Sequence, residues 1–137
     1  MFETFDHTAD LGLRVRAATL DALFAEAGRG LFSLIVDDLT SVADTHPVPI
    51  RLHGEELEYL FFDWLRELLY HFEAKRLVYQ RFEVTLQGLD LSAVAYGEPF
   101  DPTRHLPNHE VKAITLHGLR VEQEPSGAWL AEVIVDI

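Results

Sequence analysis

The segment from residue 55 to residue 75 constrains the fold more than any other part of the sequence. Its first turn is rich in glutamate, and Lys75 and Arg76 close it, which is the polarity that a helix dipole favours. Apolar residues recur through the segment at the three- and four-residue spacing of a helix with one buried face: Leu57, Leu60, Phe61, Trp64, Leu65, Leu68 and Phe72. The pattern therefore predicts one long helix packed against the rest of the protein.

A second helix and several strands are predicted around this long helix. Thr19 is typical of a helix N-cap, and apolar residues follow it at helical spacing as far as Ile35. Turn-forming residues at 87–90 and 125–127 indicate two hairpins, and Gly118 indicates a bulge. Apolar and polar residues alternate in the segments that we expect to be strands, which are 11–17, 48–52, 78–86, 91–96, 110–123 and 129–136.

This order of elements indicates an α+β protein. Strands lie at both ends of the chain and two helices lie between them, so we expect the two helices to pack on one face of a mainly antiparallel sheet. A chain of 137 residues is the size of one domain, and it contains no repeat and no linker. Residues 1–137 are therefore predicted to form a single domain.

Composition excludes several classes of site. The chain has no cysteine, which rules out disulfides and thiolate metal sites. It lacks a long apolar run and a basic, apolar leader, so we expect a cytoplasmic protein. The 11 Lys and Arg residues are dispersed and the net charge is −12, so direct nucleic-acid binding is not expected. The acidity favours a cation or a basic protein as partner, although charge that only maintains solubility is an alternative.

Two acidic residues stand where strands are predicted to begin and end. Asp10 follows the polar segment 6–9 and precedes the first alternating strand, while Asp136 is next to the last residue, Ile137. If these strands are antiparallel neighbours, both side chains and the terminal carboxylate converge, and a hard cation would relieve their repulsion. The alternatives are that Asp10 only bonds its own turn and that Asp136 only points into water.

The remaining polar residues match no established catalytic or metal signature. His7, His109 and His117 lack the spacing of zinc ligands. No glycine-rich phosphate loop is present, and no serine has the flanking glycines of a nucleophile elbow.

Three segments in order resemble the archease family. They are His7-Thr8-Ala9-Asp10-Leu11-Gly12-Leu13, Glu110-Val111-Lys112-Ala113-Ile114-Thr115 and Trp129-Leu130-Ala131-Glu132-Val133-Ile134-Val135-Asp136-Ile137, and the resemblance spans the whole chain. One departure is Leu116, where the family often has tyrosine before the histidine.

The resemblance implies a function that the residues alone do not. It implies a non-enzymatic accessory protein for an RtcB-type RNA ligase in tRNA splicing and RNA repair, which promotes GTP-dependent guanylylation of the ligase and repeated turnover. It also implies that Asp10, Asp136 and the C-terminal Ile137 bind Ca²⁺, Mg²⁺ or Mn²⁺. Two alternatives are a chaperone-like binding module and a metal-dependent phosphohydrolase that uses Asp10, Asp136 and a histidine.

Overall fold

The computed structural model describes residues 1–7 and 10–137. Its helices are α1 (Leu20–Ile35), α2 (Leu57–Lys75) and a short α3 (Pro102–His105), and a 3₁₀ turn covers Leu39–Ser41. Its strands are β1 (Phe2–His7), β2 (Asp10–Ala17), β3 (His46–His53), β4 (Leu77–Gln87), β5 (Asp90–Pro99), β6 (Ala113–Ile114), β7 (Arg120–Gln123) and β8 (Trp129–Asp136). No helix in this part of the chain is long and apolar enough to span a membrane.

The strands form two antiparallel sheets. In the larger sheet β1 pairs with β2, β2 pairs with β8, and both β6 and β7 pair with the other edge of β8. In the smaller sheet β5 lies between β3 and β4. The α+β class and the antiparallel pairing are confirmed, but the strands are divided between two sheets rather than joined in one. Helix α1 contacts both sheets, through β2 and β4, which places the apolar core between them.

The capping residues and apolar faces predicted from the sequence are present in the two long helices. Thr19 caps α1 by accepting a hydrogen bond from the backbone N–H of Ala22 at 3.1 Å. Helix α2 begins at Leu57, two residues after the predicted start, and ends at Lys75, where Arg76 caps it in the left-handed conformation. The buried Trp64 of α2 donates its indole N–H to the Phe24 carbonyl of α1 at 2.9 Å, so the helices are joined by a hydrogen bond as well as by apolar contact.

The predicted strand at 110–123 is interrupted. Pairing with β8 stops after Ile114 and resumes at Arg120, and a turn in which Gly118 has φ of +65° separates the two short strands. Thr115 is the last residue bonded to β8 before this turn: its backbone N–H and its hydroxyl both donate to the Ile134 carbonyl, and the hydroxyl accepts the N–H of His117. We call residues 115–119 the β6–β7 turn.

The acidic side chain of Glu98 holds three segments of the chain together. One of its oxygens accepts the backbone N–H of Ala43 at 2.6 Å and the Nε2–H of His105 at 2.9 Å, and the other accepts Arg104 at 2.6 Å. The other ring nitrogen of His105, Nδ1, accepts the backbone N–H of Asp101, so the ring proton is on Nε2. Glu98 and His105 are both buried, so this network attaches α3 and the loop before β3 to the end of β5.

Candidate metal site at the end of the central strand

The structure brings the start of β2 beside the end of β8. The two strands are antiparallel, and Leu11 lies opposite Val135. Asp10 is the first residue of β2 and Asp136 is the last of β8, so continuing the register by one residue places them opposite each other. Opposite residues of an antiparallel pair project their side chains on the same face of the sheet. The pairing on which the sequence-based prediction depended is therefore present.

Histidine joins these two aspartates on the same face. His7 lies opposite Asp10 on β1, and its Nδ1 is 4.0 Å from an Asp10 carboxylate oxygen, which is too long for a hydrogen bond. That nitrogen is buried and has no hydrogen-bond partner among the described residues. The ring of His117, from the β6–β7 turn, meets the His7 ring edge to face at a centroid distance of 5.1 Å. A buried polar atom without a partner marks a place where a ligand, an ion or water fits.

Neighbouring cations are engaged elsewhere. Arg14, on the same face of β2, binds Glu3 at 3.0 Å and Glu132 at 3.1 Å. Within residues 1–7 and 10–137, Asp136 forms no ion pair, and Asp10 is paired only with His7. The side chain of Lys112 is exposed, and the backbone N–H of this residue donates to the Asp136 carbonyl at 2.8 Å. In the described structure, therefore, neither aspartate has an arginine or lysine as an ion-pair partner.

The donor chemistry at this position fits a hard divalent cation. Carboxylate oxygens are the ligands that Ca²⁺, Mg²⁺ and Mn²⁺ prefer, and Ile137 follows Asp136 directly in the chain. No three His, Asp or Glu side chains within the described ranges are gathered around one point as metal ligands. The predicted set contains only two such side chains and a main-chain carboxylate, so cation binding here stays a prediction. Thr8 and Ala9, which belong to the same sequence motif, lie outside the described residues.

Sequence reasoning did not bring His7 and His117 together. They are far apart in the chain, and they meet only because the β6–β7 turn leaves the sheet. His109, which was considered with them as a zinc ligand, instead donates its backbone N–H to Leu34 at the end of α1. No spacing rule links His7 to His117, because the interruption of the predicted strand produces their contact.

Known proteins resemble this chain over its full length. Residues 2–137 match the model of the Archease protein family. Protein archease of Pyrococcus furiosus is 39% identical, over 99% of this chain and 98% of that protein. Protein archease of Methanopyrus kandleri is 41% identical, over 99% of both chains.

Solved structures share the fold. The solution structure of protein 1598 of Methanobacterium thermoautotrophicum superposes with a TM-score of 0.85 at 28% identity, covering 99% of this chain and 98% of that one. An archease of Thermotoga maritima, described as a possible chaperone, has the same fold with a TM-score of 0.65 at 21% identity, covering 100% of this chain and 98% of that one. The matched family model, the relatives and the shared fold agree, and the chain belongs to the archease family.

Proposed function

We propose that this protein is an accessory factor of an RtcB-type RNA ligase. In this proposal it promotes the GTP-dependent guanylylation of the ligase and its repeated turnover, and it is not itself the enzyme. The cation site of Asp10, Asp136 and the terminal carboxylate of Ile137 is the working part of the surface. The observation that supports the proposal most directly is the antiparallel pairing of β2 with β8, the strands that begin with Asp10 and end with Asp136, in a member of this family.

Charge supports a role on the ligase rather than on RNA. A ligase site that receives RNA phosphates and GTP needs positive potential, and a domain of net charge −12 is attracted to such a site. Asp10 and Asp136 lie at a strand end, where a partner can approach them without any opening of the core.

In this proposed function, some residues bind the cation and others hold the binding residues in place. Asp10 and Asp136 hold the cation on one face of the sheet, and the antiparallel pairing of β2 with β8 keeps them together. A bound divalent cation supplies positive charge that can neutralise a phosphate or orient an oxygen ligand. The burial of Val135 and Val133 against the core anchors β8, so the acidic end is presented on a rigid strand.

A chaperone-like module is the second candidate. It is supported by the description of the Thermotoga maritima archease and by two exposed aromatic side chains of α2, Tyr59 at 51% and Tyr70 at 56% exposure. A holdase assay separates the candidates, because a chaperone would suppress aggregation of an unrelated protein whereas a ligase factor would not.

The decisive experiment measures ligase–GMP formation with and without this protein. We expect the wild type to accelerate it, and Asp10→Asn or Asp136→Asn to lose most of the acceleration together with Mn²⁺ affinity in calorimetry. An extension after Ile137, which converts the terminal carboxylate into an amide, should impair both in the same way.

Asp37→Asn is the matched control, because Asp37 is exposed and accepts no hydrogen bond or ion pair from the described residues. The fold should survive each substitution at the site, since removing one carboxylate from a crowded anionic cluster relieves repulsion. If the two Asp→Asn variants and the extended chain stimulate guanylylation as well as the wild type, the acidic site has no part in the function.

A further inference from the structure

A small pocket on the surface combines apolar and acidic walls. Five large apolar side chains of the described chain are exposed, and two of them line this pocket: Tyr59 of α2 at 51% exposure and Leu116 of the β6–β7 turn at 50%. Leu119 adds a third apolar wall, and the volume is about 240 Å³. That is smaller than the roughly 300–1,000 Å³ of pockets that take small-molecule ligands, and it suits one protein side chain. We call it the Tyr59–Leu116 pocket.

The rim of this pocket is acidic. Glu56 and Glu58 complete its lining, and none of the lysines and arginines in the described part of the chain lines it. Neither glutamate forms an ion pair with the described residues, and Glu56 stands at the N-cap of α2 without capping the helix through its side chain. Both carboxylates are therefore available to a cation that enters the pocket.

Arginine is the side chain that matches both properties. Its methylene stem can lie against Leu116 and Leu119, and its guanidinium can stack on the ring of Tyr59 while it binds a carboxylate at the rim. Arginine and tyrosine are among the residues that contribute most of the energy at protein interfaces. A lysine would satisfy the charge but would lose the planar stacking and the bidentate hydrogen bonds.

The pocket is linked to the candidate metal site through one turn. Leu116 and His117 are neighbours in the β6–β7 turn; Leu116 faces the pocket, and the His117 ring contacts His7 beside Asp10. A partner anchored at Leu116 is therefore held next to the strand end that carries Asp10 and Asp136.

We propose that the Tyr59–Leu116 pocket is the docking point of an arginine side chain of the RtcB-type ligase. This inference rests on the proposed function, because it assigns the surface by which the ligase partner is held. The acidic rim attracts the basic partner, the apolar walls hold the stem of its arginine, and the metal site then faces the ligase.

The test compares variants of the pocket with matched variants at the other end of α2. Glu56→Lys and Glu58→Lys, each made singly, reverse a charge of the rim and Tyr59→Ser removes the aromatic wall, while Glu73→Lys and Tyr70→Ser make the same substitutions at exposed positions outside the pocket. Binding to the purified ligase, Mn²⁺ affinity and circular dichroism are measured for each variant. We expect the pocket variants to bind the ligase at least about tenfold more weakly, with Mn²⁺ affinity and fold unchanged, and the two controls to bind like the wild type.

The outcomes distinguish this inference from the function on which it rests. If the wild type binds and stimulates the ligase and the pocket variants do so equally well, the pocket is not the docking point while the function stands. Equal losses in the pocket and control variants would also overturn it, because they would indicate only general charge attraction. If the wild type neither binds nor stimulates the ligase, the proposed function and the docking point both fail.

Discussion

Among single residues, Glu98 makes the most specific prediction about stability. Burial by itself would raise the pKa of this carboxyl, but the hydrogen bonds from Ala43, Arg104 and His105 outweigh it and lower the pKa to about 2. Because the pKa is lower in the folded protein than in the unfolded chain, the carboxylate stabilises the fold above about pH 5. This stabilisation is lost as the pH falls from about 4.5 towards 2.

Glu98→Gln should therefore lower the free energy of unfolding at pH 7 by about 2–3 kcal/mol. The difference from the wild type should shrink as the pH falls from about 4.5 towards 3, because the unfolded chain binds a proton at Glu98 in this range while the folded carboxylate largely does not. Urea denaturation of both proteins at pH 7, 5 and 3 measures this difference in the free energy of unfolding. Glu73→Gln on the exposed face of α2 is the control and should show neither effect. A loss that stays constant with pH would mean that packing, and not charge, accounts for the role of Glu98.

Among the elements, β5 depends on a glycine at one position. An added Cβ at Gly97 would lie 1.8 Å from the Val78 carbonyl oxygen and 2.8 Å from the Tyr79 Cα, so the backbone of β4 would have to move. This close approach occurs next to the bulge where the register between β4 and β5 shifts.

Gly97→Ala should lower the free energy of unfolding by more than about 2 kcal/mol, because neither backbone can give way without breaking the ladder of the smaller sheet. Thermal unfolding followed by circular dichroism tests this. Gly127→Ala is the comparison, since its Cβ would meet nothing within 4 Å and only its φ of +93° is strained. Equal losses at both positions would show that the contact with Val78 has no special cost.

The helices and strands differ in how well the sequence alone predicts them. Helices α1 and α2 and the hairpin turns were predictable, because their signals are local: side-chain period, capping and turn residues. Strand β1 was not predicted, since the polar residues around Asp6 have the composition of a turn. The division into two sheets depends on contacts that α1 makes far away in the chain, and no local pattern records those.

The candidate metal site was also predictable only in part from the sequence. The hypothesis assumed antiparallel pairing of the first predicted strand with the last, and the structure has this pairing between β2 and β8. The contact between His7 and His117 required the interruption of a strand that alternation predicts to be continuous. Sequence periodicity does not indicate where a ladder is interrupted, which here happens after Thr115.

For the whole molecule, the distribution of charge predicts the response to nucleic acid. Of its arginines, six are bound to carboxylates of the described chain: Arg14, Arg16, Arg29, Arg81, Arg104 and Arg120. Binding to a phosphate backbone needs clustered cations that release counterions, and these arginines already have anionic partners. With a net charge of −12, the isolated protein should repel such a polymer.

We therefore expect no measurable binding of tRNA or duplex DNA at physiological salt in a fluorescence anisotropy titration. The purified ligase serves as the positive control in the same buffer. Tight binding by this protein alone, with an affinity that falls steeply as salt is added, would contradict the prediction.

The central place of β8 in the larger sheet has a consequence for how the protein is made. Strand β2 is synthesised before both long helices, yet its partner β8 is separated from it by more than one hundred residues, as the pairing of Leu11 with Val135 shows. The smaller sheet is built from nearer neighbours, β3 to β5, and all three of its strands are synthesised before β8. Translation therefore leaves the larger sheet open until β8 inserts between β2 on one side and β6 and β7 on the other, and the acidic strand end exists only after that insertion. A truncated or stalled chain would expose two unpaired strand edges and would lack the site entirely.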